Sequence, residues 1–90
     1  MSALIRVRIP SPLHSYTGGA ALVEARGSSL RELVDDLDRR FPGLRFRVVD
    51  EQDRIREHMR FFIGEAEARS LDDPLDGRSE VMIVAALSGG

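Results

Sequence analysis

A single amphipathic helix set between stretches of alternating polarity is the pattern that most limits what this chain can fold into. Leu30, Leu33, Val34, Leu37 and Phe41 recur at i, i+3, i+4, i+7 and i+11, which places them in one apolar stripe. Ser29 with Glu32 three places later makes a capping box at the start, and Pro42-Gly43 stops the helix. Asp35 with Arg39, and Asp36 with Arg40, are i,i+4 pairs in the favourable orientation on its polar flank. One stripe has nothing to bury against except a sheet, so the helix dictates a two-layer domain.

The flanking segments supply the strands. Ile5, Val7 and Ile9 alternate with Arg6 and Arg8, the period of two of a half-buried strand. Pro10, Pro12, Thr17, Gly18 and Gly19 break the chain, and residues 21–25 follow as a second strand, completing an N-terminal hairpin. Residues 44–59 are charge-dense with scattered Phe46, Val48, Val49 and Ile55, and their spacing predicts a loop with short helical or strand turns. Residues 60–63 resume a strand, Gly64-Glu65 is a turn, and residues 67–69 form a brief strand after it. Residues 71–77 read as loop. The last element, residues 80–87, is apolar on both alternating faces, as in a central strand. The order hairpin, helix, strands predicts an α+β domain of the β-grasp type, a mixed sheet of four to five strands packed on one long helix. Its first and last strands should lie side by side and parallel at the centre. The domain should span residues 1–87, with residues 88–90 a flexible tail.

Composition then removes whole classes of chemistry. Ninety residues make one domain. With no cysteine there are no disulfides, thiolate metal sites or thiol nucleophiles. All 13 basic residues are arginine, so no lysine offers a side-chain amine. A net charge of -2 argues against nucleic acid as a partner. No apolar run is of membrane-crossing length, and the opening residues alternate unlike a signal peptide, so a cytoplasmic location is expected.

Few side chains remain as candidates for chemistry. His14 and His58 have no flanking ligand pattern and read as surface histidines, with no metal expected. The runs Asp50-Glu51-Asp53 and Asp72-Asp73-Asp76 lack the spacing of a calcium loop and read as solvated charge. Ser11, Ser15, Ser70 and Ser79 have no nucleophile-elbow context. By alternation, Arg6, Arg8, Arg60, Phe62, Met82 and Val84 share the sheet face opposite the helix. Three large apolar groups in one patch on a small domain mark a partner-docking face. For the arginines a solvated face is an equal reading.

The chain ends in Ser88-Gly89-Gly90. Glycine without a Cβ can thread a narrow channel and bring its carbonyl carbon to an active site unobstructed. Three small residues beyond a central strand would carry the Gly90 carboxylate roughly 10 Å past the fold. A frayed end is the plainer alternative.

Several segments carry a resemblance: Ile5-Arg6-Val7-Arg8-Ile9-Pro10, Ser28-Ser29-Leu30 through Phe41-Pro42-Gly43, Phe62-Ile63-Gly64-Glu65, and residues 75–83 with Ser88-Gly89-Gly90. Through them the chain resembles the ubiquitin-like sulfur carriers of the MoaD/ThiS family along its full length. The final segment is the most specific: Asp-Gly, Glu-Val, an alternating apolar strand and a terminal Gly-Gly. Tyr16-Thr17-Gly18-Gly19 is more like the cysteine-pathway carriers than the molybdopterin synthase small subunit or the thiamine carrier. The resemblance implies that an E1-like enzyme uses ATP to adenylate Gly90, and that a persulfide donor turns the adenylate into a thiocarboxylate. A sulfur-acceptor synthase then takes the sulfur. The chain itself would be carrier and substrate, with no catalytic group and no bound cofactor; Ser88 and Gly89 would thread the tail, and the Phe62, Met82, Val84 face would dock the activating enzyme. Two other readings stay open: a modifier joined through Gly90 to lysines of other proteins, and a ubiquitin-like binding module with an inert tail.

Overall fold

The computed structural model describes residues 4–76 and 80–86. Five strands form one mixed sheet in the order β2-β1-β5-β3-β4, comprising β1 (Leu4–Arg8), β2 (Leu22–Arg26), β3 (Met59–Ile63), β4 (Ala66–Glu67) and β5 (Val81–Ala85). The β1–β2 hairpin is antiparallel and pairs Leu4 with Arg26 through Arg8 with Leu22. β5 runs parallel to β1, with Val7 opposite Val81 and Arg8 opposite Met82, and antiparallel to β3 from Met59–Ala85 to Ile63–Val81. The first and last strands therefore sit together at the sheet centre, as the alternation predicts. This is the β-grasp arrangement.

One face of the sheet is covered by α1 (Leu30–Arg40). Leu30, Leu33, Val34 and Leu37 are buried against Ile5, Val7, Ala25, Phe61, Val81 and Ile83, so the stripe and the inward residues of the strands form one core. Burial of each such side chain stabilises the fold by about 1.5–3 kcal/mol.

The start of α1 is more fully satisfied than a capping box requires. Ser29 Oγ accepts from the Glu32 N–H at 3.3 Å, as expected. Glu32, however, reaches back to Ser28, accepting from its N–H at 2.9 Å and its hydroxyl at 2.7 Å. The remaining first-turn donors go to the 71–73 loop: Leu30 N–H to Asp73 C=O at 3.0 Å and Arg31 N–H to Leu71 C=O at 2.7 Å. The N–H groups of Leu30, Arg31 and Glu32 are thus all satisfied, and the loop that leads towards β5 is held to the helix.

The polar flank also differs from the spacing rule. Asp36 pairs with Arg40 at 2.8 Å as predicted, but also takes Arg39 at 3.0 Å, while Asp35 turns to Arg45 at 3.1 Å. The reason is that Asp36 is buried and accepts the Arg26 N–H at 2.8 Å, tying α1 to the sheet's edge strand. An acid in that position draws both neighbouring guanidinium groups. Burial opposes ionisation of Asp36, but the Arg26 N–H and the Arg40 and Arg39 side chains outweigh it and hold its pKa below the usual aspartate value.

Residues 44–58 resolve into a helical turn, α2 (Leu44–Val48), and a bridge between Val49 and Ile55. Leu44 and Val48 are buried, so the i,i+4 pair faces inward and Phe46 points out, 59% exposed. Gly43 opens α2 with φ 96, a left-handed conformation that glycine adopts without strain. Arg45 then fastens the 50–54 loop through Asp53. A short 3-10 turn (Ser11–Tyr16) links the first hairpin and packs on α2.

Gly27 meets a different constraint, because a Cβ there would fall on the Leu33 backbone. Gly27→Ala is therefore expected to cost about 1–3 kcal/mol of overpacking, read as a lower urea midpoint. Because its folded-state pKa is depressed, Asp36 contributes stability that is complete above the ordinary carboxylate value of about 4 and is lost as pH falls towards the lowered one. In an acid titration followed by circular dichroism, Asp36→Asn should be less stable than the wild type at neutral pH and lose less of its stability on acidification.

Candidate functional site

Among the described residues, no layer covers the sheet face opposite α1. Strand alternation puts Leu4, Arg6 and Arg8 of β1 on it, with Met82 and Val84 of β5 and Arg60 and Phe62 of β3. All six residues singled out by sequence thus lie on one face. The register sets Met82 between Arg8 and Phe62, at the centre of the group, and Val84 beside Arg60. Met82 is 38% exposed, whereas Phe62 and Val84 are half-buried.

Two neighbours were not anticipated. Leu4 and Leu22 are among the exposed large apolar residues, at 42% and 41%, and belong to the same face through β1 and β2. The period-two signal that found Arg6 and Arg8 also contained Leu4; Leu22 joins them through the β1–β2 register. The apolar part of the surface is therefore wider than the trio Phe62, Met82 and Val84.

The three arginines are not equivalent. Arg8 is paired with Glu80 across β1 and β5, and Arg60 with Glu67 across β3 and β4 at 3.1 Å. Arg6 has no ion-pair partner among the described residues. Cross-strand pairs on an exposed face contribute about 0–1 kcal/mol each; what they alter is the field a partner meets. Two cations are already balanced; Arg6 lies opposite Glu24 in the β1–β2 register without an ion pair among the described residues.

The other candidates fall into structural roles. His14 Nε2 lies 2.8 Å from Ile9 C=O; a carbonyl only accepts, so this nitrogen carries the proton and the ring fastens the 3-10 turn to β1. His14 is thus partly buried and bonded rather than a free surface histidine. His58 is exposed, and its backbone C=O accepts the Ala86 N–H at 2.7 Å, fixing the chain just beyond β5.

The acidic runs are likewise bonded rather than simply solvated. Asp50 accepts from Gln52 and Arg54 N–H groups, Asp73 from Arg69 N–H, and Asp72 pairs with Arg31. Asp53 links Arg45 and Arg31; its bond from Arg45 is the main cause that holds its pKa below the usual range. Among the described residues no cluster of three or more His, Cys, Asp or Glu could hold a metal. Nor is any helix there long and apolar enough to cross a membrane. Ser88, Gly89 and Gly90 lie outside the described residues, as do Leu87 and Gly77.

No family model matches the chain. The sulfur carrier protein CysO of Mycobacterium tuberculosis is 25% identical over 91 residues, covering 96% of this chain and 98% of that protein. A chain of the Amycolatopsis orientalis BexX/CysO complex superposes with a TM-score of 0.88 at 27% identity, covering 96% of this chain and 99% of that one. In sequence and in fold the chain is similar to CysO sulfur carriers, a likeness that supports a MoaD/ThiS-type carrier. The same fold recurs in small archaeal modifier protein 1 of Methanosarcina acetivorans, with a TM-score of 0.82 at 18% identity, over 100% of this chain and 99% of that one.

The face assignment has a direct test in two adjacent residues. Met82→Asp, on the open face, should shift stability by no more than about 0.5 kcal/mol. Ile83→Asp, 2% exposed, should abolish cooperative urea unfolding, because it buries an unpaired charge.

Proposed function

We propose that this protein carries sulfur as a C-terminal thiocarboxylate on Gly90 and delivers it in cysteine biosynthesis. The observation that carries the reading is the likeness to CysO over nearly the whole of both chains, in sequence and in fold. The Tyr16-Thr17-Gly18-Gly19 loop supports the cysteine branch over the molybdopterin branch. In the fold Thr17 is buried and its hydroxyl donates to Ala20 C=O at 2.8 Å, so this loop is a built feature of the hairpin.

The chemistry needs only the main-chain carboxylate. A Gly90 oxygen attacks the α-phosphorus of ATP on an E1-like enzyme, and pyrophosphate leaves. A sulfur nucleophile then attacks the carbonyl carbon and expels AMP, forming the C–S bond. With a persulfide donor, a thiol must also cleave the remaining S–S bond. An acceptor synthase finally takes the sulfur. The chain supplies no acid, base or bound cofactor to these steps; ATP belongs to the activating enzyme. Its contribution is presentation, with Ser88 and Gly89 entering the enzyme's channel and the Phe62, Met82, Val84 face, with Arg6, docking beside it. Arg8 and Arg60 line that contact while paired to Glu80 and Glu67. The relative from Amycolatopsis orientalis is found in complex with a second protein, which is consistent with a carrier that works by docking. The cytoplasm, where ATP-dependent activation takes place, is the expected compartment.

Intact-mass measurement of protein isolated from its own cells tests the reading. Sulfur in place of one oxygen at the C-terminus is expected; Gly90 joined to lysines of other proteins would establish a modifier, and an always free carboxylate a binding module. Deleting Gly90 should abolish sulfur transfer and leave the melting curve unchanged, and full activity in that variant would falsify the proposal. Met82→Asp should slow adenylation of the tail with the fold intact. Wild-type adenylation in that variant would remove the docking role of the face.

A further inference from the structure

Phe46, at 59%, is more exposed than Leu4, Leu22 or Met82, and it lies on the helix layer rather than on the open sheet face. It is not an isolated apolar side chain. The Arg56 guanidinium sits over its ring, 4.7 Å from the centroid, and Arg56 Nε donates to the Phe46 C=O at 2.7 Å. These two contacts fix the guanidinium in one orientation, and no carboxylate pairs with it directly among the described residues, Asp50 acting on it only through space. Arg47, the next residue, is exposed and has no ion-pair partner there either. Most other arginines of the helix layer are paired with acids, Arg31, Arg39, Arg40 and Arg45 among them.

Phe46, Arg47 and Arg56 line a shallow cavity of about 330 Å³ with Glu51, His58 and Met59. Two guanidinium groups thus face one carboxylate. The cavity also has a fixed relation to the chain's end. His58 C=O holds the Ala86 N–H, and Met59 pairs with Ala85, so the wall of the cavity is bonded to the last described residues of the chain. On the other side of the same strand end lies the open face, with Val84 beside Arg60.

We infer that the Phe46, Arg47 and Arg56 surface is a second docking point for the enzyme that activates the tail, and that it receives an acidic side chain flanked by an apolar group. This rests on the carrier reading above and adds a site and a partner chemistry to it. A pre-oriented guanidinium stacked on an aromatic ring loses little freedom on binding a carboxylate, and such residues are prominent among binding hot spots. The charge complementarity is specific: an acidic partner group balances the unpaired cations, and a neutral one would leave them desolvated. An enzyme that contacts both Phe46 and Met82 holds the carrier on the two sides of β5, so that whatever follows Ala86 enters between them.

The test is steady-state adenylation of the full chain by the E1-like enzyme of the same cells, with carrier concentration and NaCl varied. Phe46→Ala and Arg47→Glu both alter exposed side chains, and unchanged melting curves establish that each is folded. Each is expected to raise the KM for the carrier about tenfold with kcat little changed, as for the loss of a docking contact. The wild-type KM should rise with NaCl, and the Arg47→Glu value should rise less steeply, a response that a merely structural role would not produce. A KM within about twofold of the wild type for both variants overturns the inference and leaves the carrier reading standing. Absence of turnover with the wild-type chain overturns both.

Discussion

The sheet is a single sheet only because β5 lies between β1 and β3. Without it the chain would hold two separate hairpins, β1–β2 and β3–β4, each too small to be stable alone in water. The last strand in sequence is thus the central one in space, and its inward residues Val81 and Ile83 close the core around Phe61 and the α1 stripe. The path to that position is prepared by α1. Its first-turn N–H groups hold the 71–73 loop, and the Ser28 C=O holds the Leu75 N–H, so the chain approaches β5 from a fixed point. Stability, the placing of the open face and the direction in which the chain leaves the fold all follow from this one insertion.

The charge distribution has the same logic. A chain with 13 arginines and 15 acids could form many alternative pairs, and the fold selects among them by burial and register. Asp36 is chosen by burial, and Arg8–Glu80 and Arg60–Glu67 by strand register. Arg6, Arg47 and Arg56 form no ion pair among the described residues; Arg6 lies opposite Glu24 beside the start of β5, and Arg47 and Arg56 lie in the helix layer near its end.

Much of the fold was legible because its periods are long enough to read. The α1 stripe, the alternation at Ile5, Val7 and Ile9 and the two-faced apolar run within residues 80–87 each repeat often enough to fix an element and a face. Residues 44–58 offered no such repeat. α2 is a single turn, recognisable only as Leu44 and Val48 at i,i+4, and its neighbours are fixed by Asp53 and Arg45, which come together only in the fold. The same competition redirected Glu32 to Ser28 and Asp35 to Arg45, since local spacing defines which pairs are within reach and tertiary structure decides which of them form. At the site, alternation placed Arg6, Arg8, Arg60, Phe62, Met82 and Val84 correctly on one face, but could not show that two arginines were already neutralised across strands. Phe46 was invisible as a surface residue, because nothing in an irregular charged stretch says which way one aromatic side chain points. The proposed role of Gly90 rests on the sequence alone, since that residue lies outside the described part of the fold.

The two ladders that flank β5 also define how the domain bears a load. Any partner that draws the C-terminus into a channel pulls along the axis of β5, while the hydrogen bonds to β1 and β3 run across or at a slant to that axis. They are strained together in shear and do not open one after another as they would in a zipper. The domain can therefore be gripped and tugged by its end without shedding its central strand.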